Sequence, residues 1–211
     1  VKDSVYVQES AIESYEVKKE LFEKMDEFSN PNTILATSTS GLRISKIQRA
    51  VRRHPDRCIT VHPYNPPHMI PLVEIVPGEK TSIETTERTV EFMKMIGKKP
   101  IVVKKDVPGM VANRLAAALW REAVNLVYKG IATPEEIDAA VKYGPGIRWA
   151  LTGVFLTYHL GGGAGGIRYF LDFFKRLLED ELWKDLANWT EYPPNSFETV
   201  SYTHLTLPTK A

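Results

Sequence analysis

A histidine and a glutamate, His62 and Glu74, lie in two apolar runs, Cys58-Ile59-Thr60-Val61-His62 and Leu72-Val73-Glu74-Ile75-Val76. Each run reads as a short buried strand, so the two side chains belong at the ends of adjacent strands. A carboxylate that accepts one imidazole N–H fixes the ring's tautomer and raises the basicity of the other nitrogen. That pair suits the removal of a proton from an alcohol. The same spacing also fits a structural histidine hydrogen-bonded in a core, and both readings stand at this point. Between the runs, Pro63, Pro66, Pro67 and Pro71 stiffen the connection.

The elements that must position these groups alternate. Ser4-Val5-Tyr6-Val7-Gln8 reads as a strand. Residues 10–28 carry Ile12, Tyr15, Val17, Leu21, Phe22 and Met25 in a helical stripe, with Ser10 and Glu13 spaced as a capping box. After the turn Ser29-Asn30-Pro31-Asn32, a buried strand over Thr33–Thr37 runs into Ser38-Thr39-Ser40-Gly41. A helix over Ile44–Val51 and a turn at His54-Pro55-Asp56-Arg57 lead into the His62 strand. This βαβ rhythm predicts an α/β parallel sheet with its active groups at the carboxyl ends of strands. A helix over 82–96 ended by Gly97 follows, then a strand at Pro100–Val103.

Asp106-Val107-Pro108-Gly109 marks the domain boundary: residues 1–107 form the sheet domain and 108–199 an all-α domain. The helical part comprises 111–129, a helix opened by Thr133-Pro134-Glu135-Glu136, an apolar stretch over 149–159 and a last helix over 167–186. Gly161-Gly162-Gly163-Ala164-Gly165-Gly166 has the composition of a phosphate loop but no strand before it, and reads as a flexible connection.

Composition narrows the field. A net charge of +1 gives no basic surface for nucleic acid, and a hydrophobic content of 43% is ordinary for a globular chain. The single Cys58 excludes an intrachain disulfide and a cysteine-cluster metal site, and its strand position points to a buried apolar role. No apolar run is long enough to cross a bilayer. A cytoplasmic protein without a metal or membrane partner is the expectation.

Several separated motifs resemble the 3-hydroxyacyl-CoA dehydrogenase family, in the branch of the carnitine and gulonate 3-dehydrogenases. These are Val7-Gln8-Glu9-Ser10, Ser38-Thr39-Ser40-Gly41, His62-Pro63-Tyr64-Asn65-Pro66 with Leu72-Val73-Glu74, Pro108-Gly109, Ala112-Asn113-Arg114-Leu115 and Asp138. The resemblance implies the second half of a Rossmann-type NAD-binding domain followed by a helical domain that supports a homodimer through the apolar face of 111–129. It implies NAD as cofactor, a small hydroxy acid as substrate, and oxidation of its 3-hydroxyl. His62 resembles the general base, Glu74 its carboxylate partner, Ser40 the hydroxyl that binds the substrate oxygen, and Asn113 an amide near substrate and nicotinamide. Glu9, Ser38 and Asn65 fall on the cofactor side. A short-chain acyl-CoA substrate, or a non-catalytic crystallin-like role, are the rival implications. Ser40 also suits a helix cap, Asn113 a helix start and Glu74 a surface carboxylate.

The family's Gly-rich phosphate loop is expected in the segment preceding Val1, so this stretch alone is expected to bind NAD poorly. Residues 200–211 have no amphipathic pattern and do not resemble the family's C-terminus; they read as a non-native tail.

Overall fold

The computed structural model describes residues 1–179. The chain divides into two compact units, Val1–Ala117 and Ala118–Ala211.

The first unit is built on a five-stranded sheet: β1 (Tyr6–Glu9), β2 (Ile34–Thr37), β3 (Cys58–Pro63), β4 (Leu72–Pro77) and β5 (Lys99–Val102), side by side in that order. β1, β2 and β3 run parallel, β4 runs antiparallel to β3, and β5 runs parallel to β4. The wholly parallel sheet expected from the βαβ rhythm therefore reverses once. Residues 64–71 are too few for a crossover helix, so the chain can only return beside the strand it has just left.

Alternation along the strands fills both faces. Ile34, Ala36, Ile59, Val61, Val73 and Ile75 pack with Met93 of α3 (Ile83–Met95). Leu35 and Cys58 point the other way, onto Phe22 of α1 (Tyr15–Phe28) and Ile44 and Ile47 of α2 (Ile44–Ile47). Full burial of a side chain such as Phe22 contributes about 1.5–3 kcal/mol. α1 starts later than its stripe suggests. Ser14, not Ser10, is the N-cap, accepting the Val17 N–H, and the expected Ser10–Glu13 capping box does not form because the helix has not begun there.

Four helices follow: α4 (Ala112–Tyr128), α5 (Pro134–Tyr143), α6 (Pro145–Gly161) and α7 (Gly166–Glu179). α5 opens on Thr133 as its sequence indicates, and adds a full capping box, with Thr133 and Glu136 each accepting the other's backbone N–H. α6 begins at once on Pro145 rather than at 149, and Gly153 breaks its geometry with φ 73°. Gly163–Gly165 form a short 3-10 turn between helices. Among the described residues no helix is long and apolar enough to cross a membrane. The expected extension of the last helix to Leu186 and the tail at 200–211 lie outside the described residues.

Candidate active site

Reversal at β4 places His62 and Glu74 opposite each other. They are register partners, near the carboxyl end of β3 and the amino end of β4, so both face the same edge of the sheet. Glu74 Oε2 lies 3.0 Å from His62 Nδ1, with Glu74 fully buried and His62 5% exposed. The other carboxylate oxygen, Oε1, accepts the backbone N–H groups of Val111 and Ala112, both at 2.9 Å. These amides open α4, whose positive end favours a carboxylate. An ionised Glu74 can only accept, an arrangement that selects the ring form with its proton on Nδ1 and, in the neutral imidazole, leaves the lone pair on Nε2. No described protein group bonds to Nε2. Glu74 is therefore not the surface carboxylate that sequence left open.

The residue after Ala112 is Asn113, half-buried, whose amide Nδ2–H donates to the Ser40 carbonyl at 3.0 Å. The start of α4 thus joins the His62–Glu74 pair to the Ser40 loop: its backbone holds Glu74 and the Asn113 side chain holds the loop of Ser40. Ser40 is exposed and is not a helix cap; α2 is entered from Arg43 with no side-chain cap. Together the structure brings an imidazole nitrogen, a hydroxyl-bearing loop and an amide to one end of the sheet.

The cofactor-side residues lie along the same edge, in different states. Ser38 follows β2; its N–H donates to the Glu9 carbonyl at 2.9 Å and its hydroxyl meets that of Ser10 at 2.9 Å. Asn65 is exposed in the proline-rich loop after β3. Glu9 differs from the sequence expectation in its side chain. Its carboxylate turns inward, held by the Lys18 ammonium at 2.9 and 3.0 Å, the Thr37 hydroxyl at 2.7 Å and the Ala11 N–H. Burial pushes the Cys58 thiol well above its ordinary range, consistent with an inert packing role.

Sequence reasoning missed three contributors: the Val111 and Ala112 amides, and Glu13 on the loop after β1. Backbone donors carry no residue signature. Glu13 was visible, but its spacing from Ser10 suggested a cap.

The pair is saturated on one side and open on the other, and it sits at the strand ends of an α/β sheet, where such folds place their ligand sites. Comparison with known proteins agrees. Residues 1–107 match the model of the 3-hydroxyacyl-CoA dehydrogenase NAD binding domain and 109–202 that of the family's C-terminal domain. The chain belongs to the 3-hydroxyacyl-CoA dehydrogenase family. It is 47% identical over 174 residues to an L-carnitine dehydrogenase of Oceanobacillus iheyensis, covering 82% of this chain and 56% of that protein. It thus spans little more than half the length of that relative. Among solved structures, the NAD+-dependent 5-formyl-3-hydroxy-2-methylpyridine 4-carboxylic acid 5-dehydrogenase superposes with a TM-score of 0.81 at 35% identity, over 94% of this chain and 61% of that one. The (S)-3-hydroxybutyryl-CoA dehydrogenase of Ralstonia eutropha gives 0.63 at 30% identity, over 89% and 61%.

NAD is the cofactor that the family's first domain binds. The backbone end of β1 at Glu9, Ser38 after β2 and His62 on β3 lie at the same edge of the sheet, the edge where such folds bind ligands. Among the described residues no strand leads through a Gly-rich turn into a helix, so none offers a pyrophosphate cradle.

Proposed function

We infer that this chain is the catalytic portion of an NAD-dependent dehydrogenase that oxidises the 3-hydroxyl of a small hydroxy acid of the carnitine type. The observation that carries the reading is the His62–Glu74 pair, with one carboxylate oxygen on Nδ1 and the other on the start of α4. His62 Nε2 takes the hydroxyl proton. Glu74 keeps Nδ1 protonated and stabilises the imidazolium that forms. Ser40 and Asn113 hydrogen-bond the oxygen as it becomes a carbonyl, a task for donors held before the reaction starts. Bound NAD supplies the acceptor for the hydride that leaves the same carbon. Ser38 and Asn65 lie on the cofactor side, and Glu9 acts there indirectly, its carbonyl holding the Ser38 N–H at the end of β2.

Identity to the L-carnitine dehydrogenases supports a substrate with a carboxylate and a quaternary ammonium. The solved 3-hydroxybutyryl-CoA dehydrogenase supports the rival, a short acyl thioester. Both share the 3-hydroxyl and the chemistry at His62.

The test is NADH formation by the full-length protein offered L-carnitine, L-gulonate and 3-hydroxybutyryl-CoA in parallel. L-carnitine is expected to turn over fastest, and His62→Ala to lower kcat by roughly 10²–10⁴ in a protein that still folds and binds NADH, though at a lower melting temperature because the buried Glu74 carboxylate loses its partner. Turnover of the thioester alone would move the assignment to acyl-CoA substrates. No turnover of any, with NADH binding intact, would mean a different substrate branch of the family or a non-catalytic relative.

A further inference from the structure

Glu13 stands outside the dyad, on the segment between β1 and α1. Its Oε1 accepts the backbone N–H groups of Ser40 and Gly41, each at 3.1 Å, and the Thr39 hydroxyl donates to the same oxygen. Thr39 Oγ1 in turn accepts the Leu42 N–H at 2.9 Å. On the far side, Glu13 Oε2 faces the buried Lys18 ammonium at 3.6 Å, and that ammonium grips Glu9 at the end of β1. Tyr15 adds a second tie, its hydroxyl accepting the Arg43 N–H at 3.0 Å. The loop that carries Ser40 therefore hangs from residues 10–15, with Glu13 at its centre.

Three donors converge on Oε1 and an ammonium faces Oε2, so a proton on either oxygen would meet another donor, and the arrangement suits an ionised carboxylate. Burial opposes that charge. The hydrogen bonds from Thr39 and Gly41, the Lys18 ammonium and the Ser40 N–H outweigh it, and hold the Glu13 carboxyl below its usual value. As Ser14 caps α1, the helix makes no claim on Glu13.

We propose that Glu13 is a positioning residue for Ser40: its carboxylate clamps the amides of Ser40 and Gly41 so that the Ser40 hydroxyl meets the substrate oxygen. This rests on the reading of Ser40 given above. A positioning role acts through Ser40, whereas a structural role does not, and a double-mutant cycle separates the two.

The experiment compares Glu13→Ala, Ser40→Ala and the double variant in the full-length enzyme, with Glu13→Gln as a milder change that keeps one accepting oxygen. Turnover is read together with melting, NADH binding and amide hydrogen exchange over residues 38–43. Glu13→Ala is expected to lower kcat by roughly ten- to a hundredfold, the scale of a small misplacement of a reacting group. It is expected to cost less than about twofold once Ser40 is alanine. Exchange at Ser40 and Gly41 should quicken, with Glu13→Gln between wild type and Glu13→Ala. Equal losses in both backgrounds, or unchanged exchange in the Glu13 variants, would overturn the proposal. If His62→Ala keeps full activity, the reading of the site falls, while the exchange data still judge the clamp.

Discussion

Glu74 has two jobs that a single amide cannot share. Its oxygens serve His62 on one side and two backbone donors on the other. In Glu74→Gln, whichever way the amide is turned, its NH2 faces a donor. With the oxygen toward α4, the NH2 demands a lone pair from Nδ1 and drives the proton to Nε2, which disables the base. Glu74→Gln is expected to lower kcat by roughly 10²–10⁴ and to cost about 1–3 kcal/mol for the unmatched donor, read by turnover and urea unfolding. The pairing with His62 was legible in the sequence, because two apolar runs in tandem leave few places for a polar side chain to go. The second job was not, since it depends on where a helix begins in space.

At the level of elements, local chemistry spoke most clearly where a cap is fixed by nearest neighbours. Ser82 opens α3 by accepting the Thr85 N–H at 3.0 Å, and Thr133 opens α5. Where two serines compete, as at Ser10 and Ser14, the outcome turns on the loop of Ser40, a long-range partner that no window of sequence contains. Likewise the run 72–76 announces a strand, but its direction follows from the length of the link before it. Gly78, just past β4, shows how tightly that turn is set. A Cβ there would overlap the Gln48 side-chain amide, which is buried and bonds the carbonyls of Pro55 and Cys58. Gly78→Ala is expected to destabilise the protein by about 1–3 kcal/mol through this overpacking, seen as a lower denaturant midpoint with unchanged m.

On the scale of the whole molecule, the helical part leaves much apolar surface uncovered. Leu115 and Leu119, four apart on α4, are 58% and 42% exposed, and Leu151 and Phe155 of α6 more so. Exposed apolar side chains of this kind suit an interaction surface, and 111–129 is the segment expected to carry a homodimer interface. The full-length protein is predicted to sediment as a dimer, and Leu115→Glu with Leu119→Glu to shift it toward the monomer.

α4 carries one further consequence, for the history and engineering of such chains. The family's two domain models meet between 107 and 109, yet Glu74 draws its donors from Val111 and Ala112. A recombination point at that junction would join a base from one parent to a helix start from another. Such a hybrid inherits an imidazole whose tautomer is set by a foreign backbone. Shuffling that respects the chemistry has to keep Val111, Ala112 and Asn113 with Glu74 and Ser40, and so to cross over beyond Asn113.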